Sequence, residues 1–172
     1  MTLPIILLPE LLLEKTWRLL RSFCRQTDNE GVVYWFGVEQ GDSGVVTTLI
    51  VPDAETSRGR IRTSAAANAE VVEATIGTPL ILLGQAHSHP GRMVQHSVTD
   101  DREAFASFPG MLSVVMPHYA RGAPDLRKCG IHRILERRFV LLAREEVERH
   151  LRLLPSVRDL RHEPMMPERA RP

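Results

Sequence analysis

The chain has 172 residues, with 22 Lys and Arg against 21 Asp and Glu, a formal net charge of +1, two cysteines and 43% hydrophobic residues. That length suits one domain, which at this size buries roughly 70% of its unfolded surface; the balanced charge gives no global pull toward nucleic acid or anionic membrane. Cys24 and Cys129 are too few for a disulfide framework and lack the C-x-x-C spacing of a thiolate zinc site, so both read as ordinary thiols of a reducing cytosol.

The apolar stretch from Leu3 to Leu13 has no basic flank and is interrupted by Pro4, Pro9 and Glu10. It is too short and broken for a transmembrane helix and fits a signal peptide poorly. A short strand from Leu3 to Leu8 is expected instead, then a helix with Pro9 at its first position and Glu10 near the positive dipole end. Leu13, Trp17, Leu20 and Cys24 recur at 4, 3, 4 spacing and form one apolar stripe, with Arg18, Arg21 and Arg25 mostly away from it.

Asp28-Asn29 signals a turn, and Gly31 to Val38 reads as a strand rich in β-branched and aromatic residues. Gly41-Asp42-Ser43-Gly44 reads as a hairpin loop into a strand from Val45 to Val51. The tetrapeptide mimics a trypsin-type serine neighbourhood, but the rest of a triad has no setting. Thr56 to Thr63 is polar and is expected to be loop, with no evident substrate-gripping insertion between Val51 and Ser64. Ser64 to Thr75 is expected to be helical, ending near Gly77 and Pro79. Leu80 to Leu83 has the continuous apolar run of a buried strand. A helix from Ser97 or Thr99 to about Ser107 follows, then strands over Met111 to Met116 and Ile131 to Leu142, and a terminal helix from Glu145 to Leu154. The domain is expected to occupy residues 1–154, with 155–172 a Pro- and Arg-containing tail of nearly balanced charge.

The chemically informative stretch runs from Gly84 to Gly91 and on to Ser97-Val98-Thr99-Asp100. His87 and His89 leave a buried strand two residues apart, which places both imidazoles on one face. Pro90-Gly91 then stops the strand. Asp100 lies at a helix start, from which its carboxylate can return to the same ion. Two imidazoles and a carboxylate leave one position of a tetrahedral zinc site open, the pattern of catalytic rather than structural zinc. Bound zinc lowers the pKa of water from about 15.7 to about 7. A general base must still move the proton to a leaving amine, and Glu30 is the candidate.

Each piece has a bland reading as well. Ser97-x-x-Asp100 resembles a capping box, a lone His-x-His on a strand end is commonly incidental, and Glu30 can be a turn carboxylate. What favours the metal site is their coincidence in one chain. His96, His118, His132, His150 and His162 lack such partners and read as surface or core histidines, with a place in a cleft left open for His96 and His118.

The string His87-x-His89-Pro90, six residues, Ser97-x-x-Asp100 resembles the signature of the JAMM (MPN-plus) metallopeptidases, as does Glu30 followed seven residues later by Gly37. The resemblance implies an α/β (α+β mixed) fold: a single MPN-type domain with a central mixed sheet flanked by helices, of cytidine-deaminase-like architecture. It implies one Zn2+ held by His87, His89 and Asp100, with Glu30 as acid/base and Ser97 donating to the tetrahedral oxyanion. The implied reaction is hydrolysis after the C-terminal glycine of a ubiquitin-like protein, in deconjugation or precursor maturation. Compactness places the chain nearer bacterial members encoded beside E1-like and E2-like enzymes in antiviral conjugation operons. It is expected to be cytoplasmic, with neither nucleic acid nor membrane as partner and a homodimer left open. Two alternatives remain open, a non-catalytic MPN scaffold and a RadC-like protein. A zinc nucleobase deaminase is set aside, because its His-x-Glu and Pro-Cys-x-x-Cys elements are absent.

Overall fold

The computed structural model describes residues 5–105, 108–136 and 138–157. The described residues begin with strand β1 (Ile5–Pro9) and helix α1 (Glu10–Thr27). Pro9 is one position earlier than expected: its ψ of 134° is extended, so it precedes the helix and Glu10 begins it. Leu13, Trp17, Leu20 and Cys24 are all buried, as the apolar stripe requires. Asp28 ends α1 in the left-handed region, with its N–H donating to the Cys24 carbonyl.

Strands β2 (Val32–Gln40) and β3 (Ser43–Ile50) form the expected antiparallel hairpin. Val33 and Trp35 enter one core with α1, while Val32, Tyr34 and Phe36 enter a second core on the opposite face. Burial on both faces explains why β2 shows no polar alternation. Gly37 lies at the β2–β3 register shift, where a Cβ would run into the Val45 carbonyl.

The segment expected to be loop is a hairpin, β4 (Ala54–Ser57) and β5 (Arg60–Thr63), closed by Arg58-Gly59. Its polarity was misleading because one face is solvated while Ala54 and Ile61 pack on the second core. Helix α2 (Ala65–Glu73) follows, capped by the Ser64 hydroxyl accepting from the Ala67 N–H.

Strand β6 (Ile81–Ser88) is the buried strand expected from the apolar run, extended to carry His87. It pairs antiparallel with β2 and parallel with β7 (Leu112–Met116). Between them lies α3 (Val98–Glu103), shorter than expected; residues 106 and 107 lie outside the described set. The expected strand over Ile131 to Leu142 is two antiparallel strands, β8 (Gly130–Leu135) and β9 (Arg138–Leu141).

The expected terminal helix is also corrected. Helix α4 (Arg144–His150) ends after seven residues, and β10 (Leu151–Leu154) pairs parallel with β1, Ile6 opposite Leu151. Leu151–Leu154 has no local bias against a helix, but pairing covers the otherwise open edge of β1. The main sheet has the order β10-β1-β3-β2-β6-β7-β8-β9, a mixed sheet with helices packed against it. Cys24 and Cys129 are free thiols. No helix among the described residues is long and apolar enough to cross a membrane. Most of the expected tail, from residue 158, lies outside the described residues.

Candidate metal centre

The site sits where β6 ends. His87 is its penultimate residue, 3% exposed, and His89 follows the strand with its N–H donating to the Met116 carbonyl at the end of β7. Their Nε2 atoms stand 3.2 Å apart. Asp100 Oδ2 lies 3.3 Å from His89 Nε2 and 3.8 Å from His87 Nε2. One donor atom from each residue thus fits within a 4.8 Å group. Donors about 2.0–2.1 Å from a tetrahedral ion are roughly 3.3 Å apart, so the three fit a common cation.

The chemistry of the donors agrees. His89 Nδ1–H donates to the Met93 carbonyl at 3.0 Å. In the neutral ring the lone pair therefore lies on Nε2, while a protonated ring donates from Nε2 to Asp100. With the two Nε2 atoms 3.2 Å apart beside the Asp100 carboxylate, a proton or a cation is needed among the three groups. Burial lowers the His87 pKa, with Asp100 opposing. Burial also pushes the Asp100 carboxyl up, but hydrogen bonding to both histidines outweighs it and holds the group well below the usual carboxylate range.

Asp100 is brought there by the start of α3. Ser97 precedes the helix, its Oγ accepting from the Asp100 N–H at 3.1 Å, while Asp100 Oδ2 accepts from the Ser97 N–H at 2.6 Å. The capping box and the convergent carboxylate are therefore one construction. The Ser97 hydroxyl accepts in that bond and keeps its proton to donate.

Glu30 immediately precedes Gly31 at the head of β2. Val32 pairs with His87, and the Ser88 N–H donates to the Gly31 carbonyl, so the register places Glu30 opposite His89. Glu30 is 3% exposed. Burial pushes its carboxyl up to about 7, with His89 opposing the shift and Asp100 adding to it. The structure therefore brings Glu30, His87, His89, Ser97 and Asp100 to one place from three separate segments.

Beside the site runs a crevice between β5 and α3, lined by Tyr34, Ile61, Thr63, His87, Asp100 and Glu103 among others. Among the described residues β5 has a strand partner on one side only. The β4–β5 hairpin is tied to the site by the Glu30 N–H donating to the Ser57 carbonyl and by the Tyr119 hydroxyl donating to the Arg58 carbonyl.

Two histidines read as isolated in the sequence belong to this region. The side chain of His96 is 3% exposed and its ring centre is 5.2 Å from that of His87. His132 is buried beside it, with ring centres 4.3 Å apart. Burial, reinforced by neighbouring imidazoles, pushes His96 down to about 2 and His132 to about 4, so both are neutral. His118 is exposed on a left-handed turn. The signal for His132, and for Ser113 on β7, was a polar residue inside a buried apolar run, which demands a partner.

Two imidazoles at the end of β6 and a carboxylate from the start of α3 form a group suited to a metal ion, the kind of centre a metal-dependent hydrolase carries. The chain belongs to the metalloprotease family that includes the probable metalloprotease y4jG of Sinorhizobium fredii: the two are 35% identical over 123 residues, 67% of this chain and 72% of that protein. No family model matches the chain. Its fold is similar to the solution structure of protein DSY2949 from Desulfitobacterium hafniense, with a TM-score of 0.65 and 18% identity over 89% of this chain and 95% of the other. It is also similar to a solution structure from Salinibacter ruber, with a TM-score of 0.54 and 21% identity over 79% and 88% of the two chains.

Proposed function

We propose that this metalloprotease is of the JAMM (MPN-plus) type and hydrolyses the peptide or isopeptide bond after the C-terminal glycine of a ubiquitin-like protein. The observation that carries the reading is the convergence of His87, His89 and Asp100 within 4.8 Å, with Glu30 opposite His89 in strand register. Two imidazoles and one carboxylate favour zinc and leave a coordination position for substrate chemistry. When bound, the ion supplies Lewis acidity to water and to the scissile carbonyl.

The chain's own residues supply the rest. Glu30 takes the proton of the attacking water and passes it to the leaving amine. Burial, which favours the protonated form of this carboxyl, suits a group that must hold the water's proton before passing it on. The Ser97 hydroxyl donates to the oxygen that becomes negative only in the transition state. An extended tail can join the unpaired edge of β5 and lie in the crevice toward His87, main chain supplying affinity. That gives the hairpin the substrate-gripping place that its sequence did not reveal. The partners on this reading are a ubiquitin-like substrate and the E1-like and E2-like enzymes of a bacterial antiviral conjugation pathway, acting in the cytoplasm.

The test is cleavage of fusions in which a ubiquitin-like domain ends in glycine before a reporter, with and without a chelator. Cut products ending at that glycine, lost with chelator and restored by zinc, are expected. Chelator-insensitive cleavage, or equal cleavage of fusions lacking the ubiquitin-like domain, would refute the assignment.

A further inference from the structure

Helix α3 carries Asp100 yet has little to hold it in place. It is six residues long and none of them is buried. Its one large apolar residue, Val98, is 68% exposed. Within the helix itself hydrophobic burial holds nothing; the nearest apolar anchor is Phe105, two residues past its end, stacked on Tyr34 with ring centres 4.6 Å apart. One tie is the Arg60–Glu103 ion pair to β5, 3.3 Å long with its side chains 55% and 28% exposed. Such pairs contribute little. A carboxylate meant to complete a metal site needs its supporting helix held to a fraction of an ångström.

We propose that His96 is a positioning residue that locks α3 to the sheet and so preforms the His87–His89–Asp100 site. The side chain is 3% exposed, and both ring nitrogens are engaged. Nδ1 lies 2.9 Å from Asp101 Oδ1, on α3 next to Asp100. Nε2 lies 2.8 Å from Ser113 Oγ on β7. A carboxylate only accepts, so Nδ1–H donates to Asp101 and Nε2 accepts the Ser113 hydroxyl proton. Ser113 Oγ in turn accepts from Gln85 Nε2 at 3.2 Å, and Gln85 is two residues before His87 on β6. The bonds thus run Gln85 to Ser113 to His96 to Asp101, joining the strand that carries one metal-facing group to the helix that carries another.

The ring itself is wedged. Phe139 stands against it with ring centres 4.4 Å apart, and the His96 backbone N–H donates to His132 Nε2 at 3.3 Å. The imidazole has one orientation in which all these contacts are made. A serine or alanine there would leave the start of α3 to its capping box, with only the exposed Arg60–Glu103 pair and the Phe105–Tyr34 stack at its far end.

The inference rests on the proposed metal reading, and the experiment separates the two. Zinc affinity of the purified chain is measured by competition with a chromophoric chelator, alongside melting of the metal-free protein. His96→Phe keeps an aromatic ring against Phe139 but removes both bonds, and is expected to weaken zinc binding about 10–100-fold. Asp101→Ala is expected to do the same. Asp101→Asn removes the same charge but keeps an oxygen to accept from Nδ1–H, so affinity should return toward wild type. His96→Phe combined with Asp101→Ala should add little to either alone. Zinc affinity unchanged in His96→Phe, or Asp101→Asn as weak as Asp101→Ala, overturns the positioning role while leaving the metal site intact. Absence of zinc binding by the wild-type chain overturns both. Should His96→Phe fail to fold, the Asp101 pair decides, since that side chain is 44% exposed and tolerates replacement.

Discussion

His89 turns its Nδ1–H onto the Met93 carbonyl at 3.0 Å and thereby aims Nε2 at the Asp100 carboxylate, 3.3 Å away. The bond fixes both tautomer and ring plane, so the donor is prepared before any ion arrives. The loop closing it includes Pro90 and Gly91, whose carbonyl accepts from the His118 N–H. His87→Ala or Asp100→Ala removes one of three donors and is expected to abolish stoichiometric metal in elemental analysis of purified protein. Retention of one equivalent by either variant would place the metal elsewhere.

Glu30 is argued to act on protons rather than to hold metal. Glu30→Gln keeps the side-chain shape but cannot accept and return a proton. Expected are full metal content and a loss of turnover of roughly 10²–10⁴-fold. Measuring metal and turnover on the same preparation checks both halves; undiminished turnover would remove Glu30 from the mechanism.

The same burial has a consequence for stability. In the metal-free protein burial pushes the folded carboxyl up to about 7, against its ordinary value of 4.5. Between those values the folded state holds a proton that the unfolded state has released, so stability falls as pH rises. Below about pH 4.5 both states are protonated and the penalty vanishes. Above about 7 both are ionised and the penalty is complete. Gln carries no such penalty. Chelated Glu30→Gln should therefore melt higher than chelated wild type at pH 8, with the gap closing toward pH 4.5. A gap independent of pH would contradict the assigned burial effect.

How much of this was legible in the sequence follows from how local each feature is. His87, His89 and Asp100 were readable because one strand end and one helix start set their spacing. Leu13, Trp17, Leu20 and Cys24 were readable because a single helix period sets theirs. Strand β10 was not, because its partner is Ile6 to Pro9 at the far end of the chain and its own residues suit a helix. The β4–β5 hairpin hid behind arginines on its solvated face. Thr16 was invisible too: fully buried on α1, it accepts from Trp35 Nε1 at 3.1 Å, a contact that exists only once helix and sheet pack. Nor could the partners of His96 be read, since Ser113 reaches it across the fold.

Ser97 carries two duties that a pair of variants can separate. Its oxygen caps α3 by accepting from the Asp100 N–H, and its proton is free for the substrate oxyanion. Ser97→Ala loses both: about 1 kcal/mol of helix capping, and the donor, whose loss is expected to reduce kcat about 10²–10³-fold. Ser97→Thr keeps acceptor and donor and should retain most of each. Ser97→Asp keeps the cap without a donor when ionised, so stability should survive while kcat falls as far as in the alanine variant. Melting temperature and kcat measured across the three variants resolve the duties. Were kcat to follow melting temperature throughout, Ser97 would be a helix cap alone.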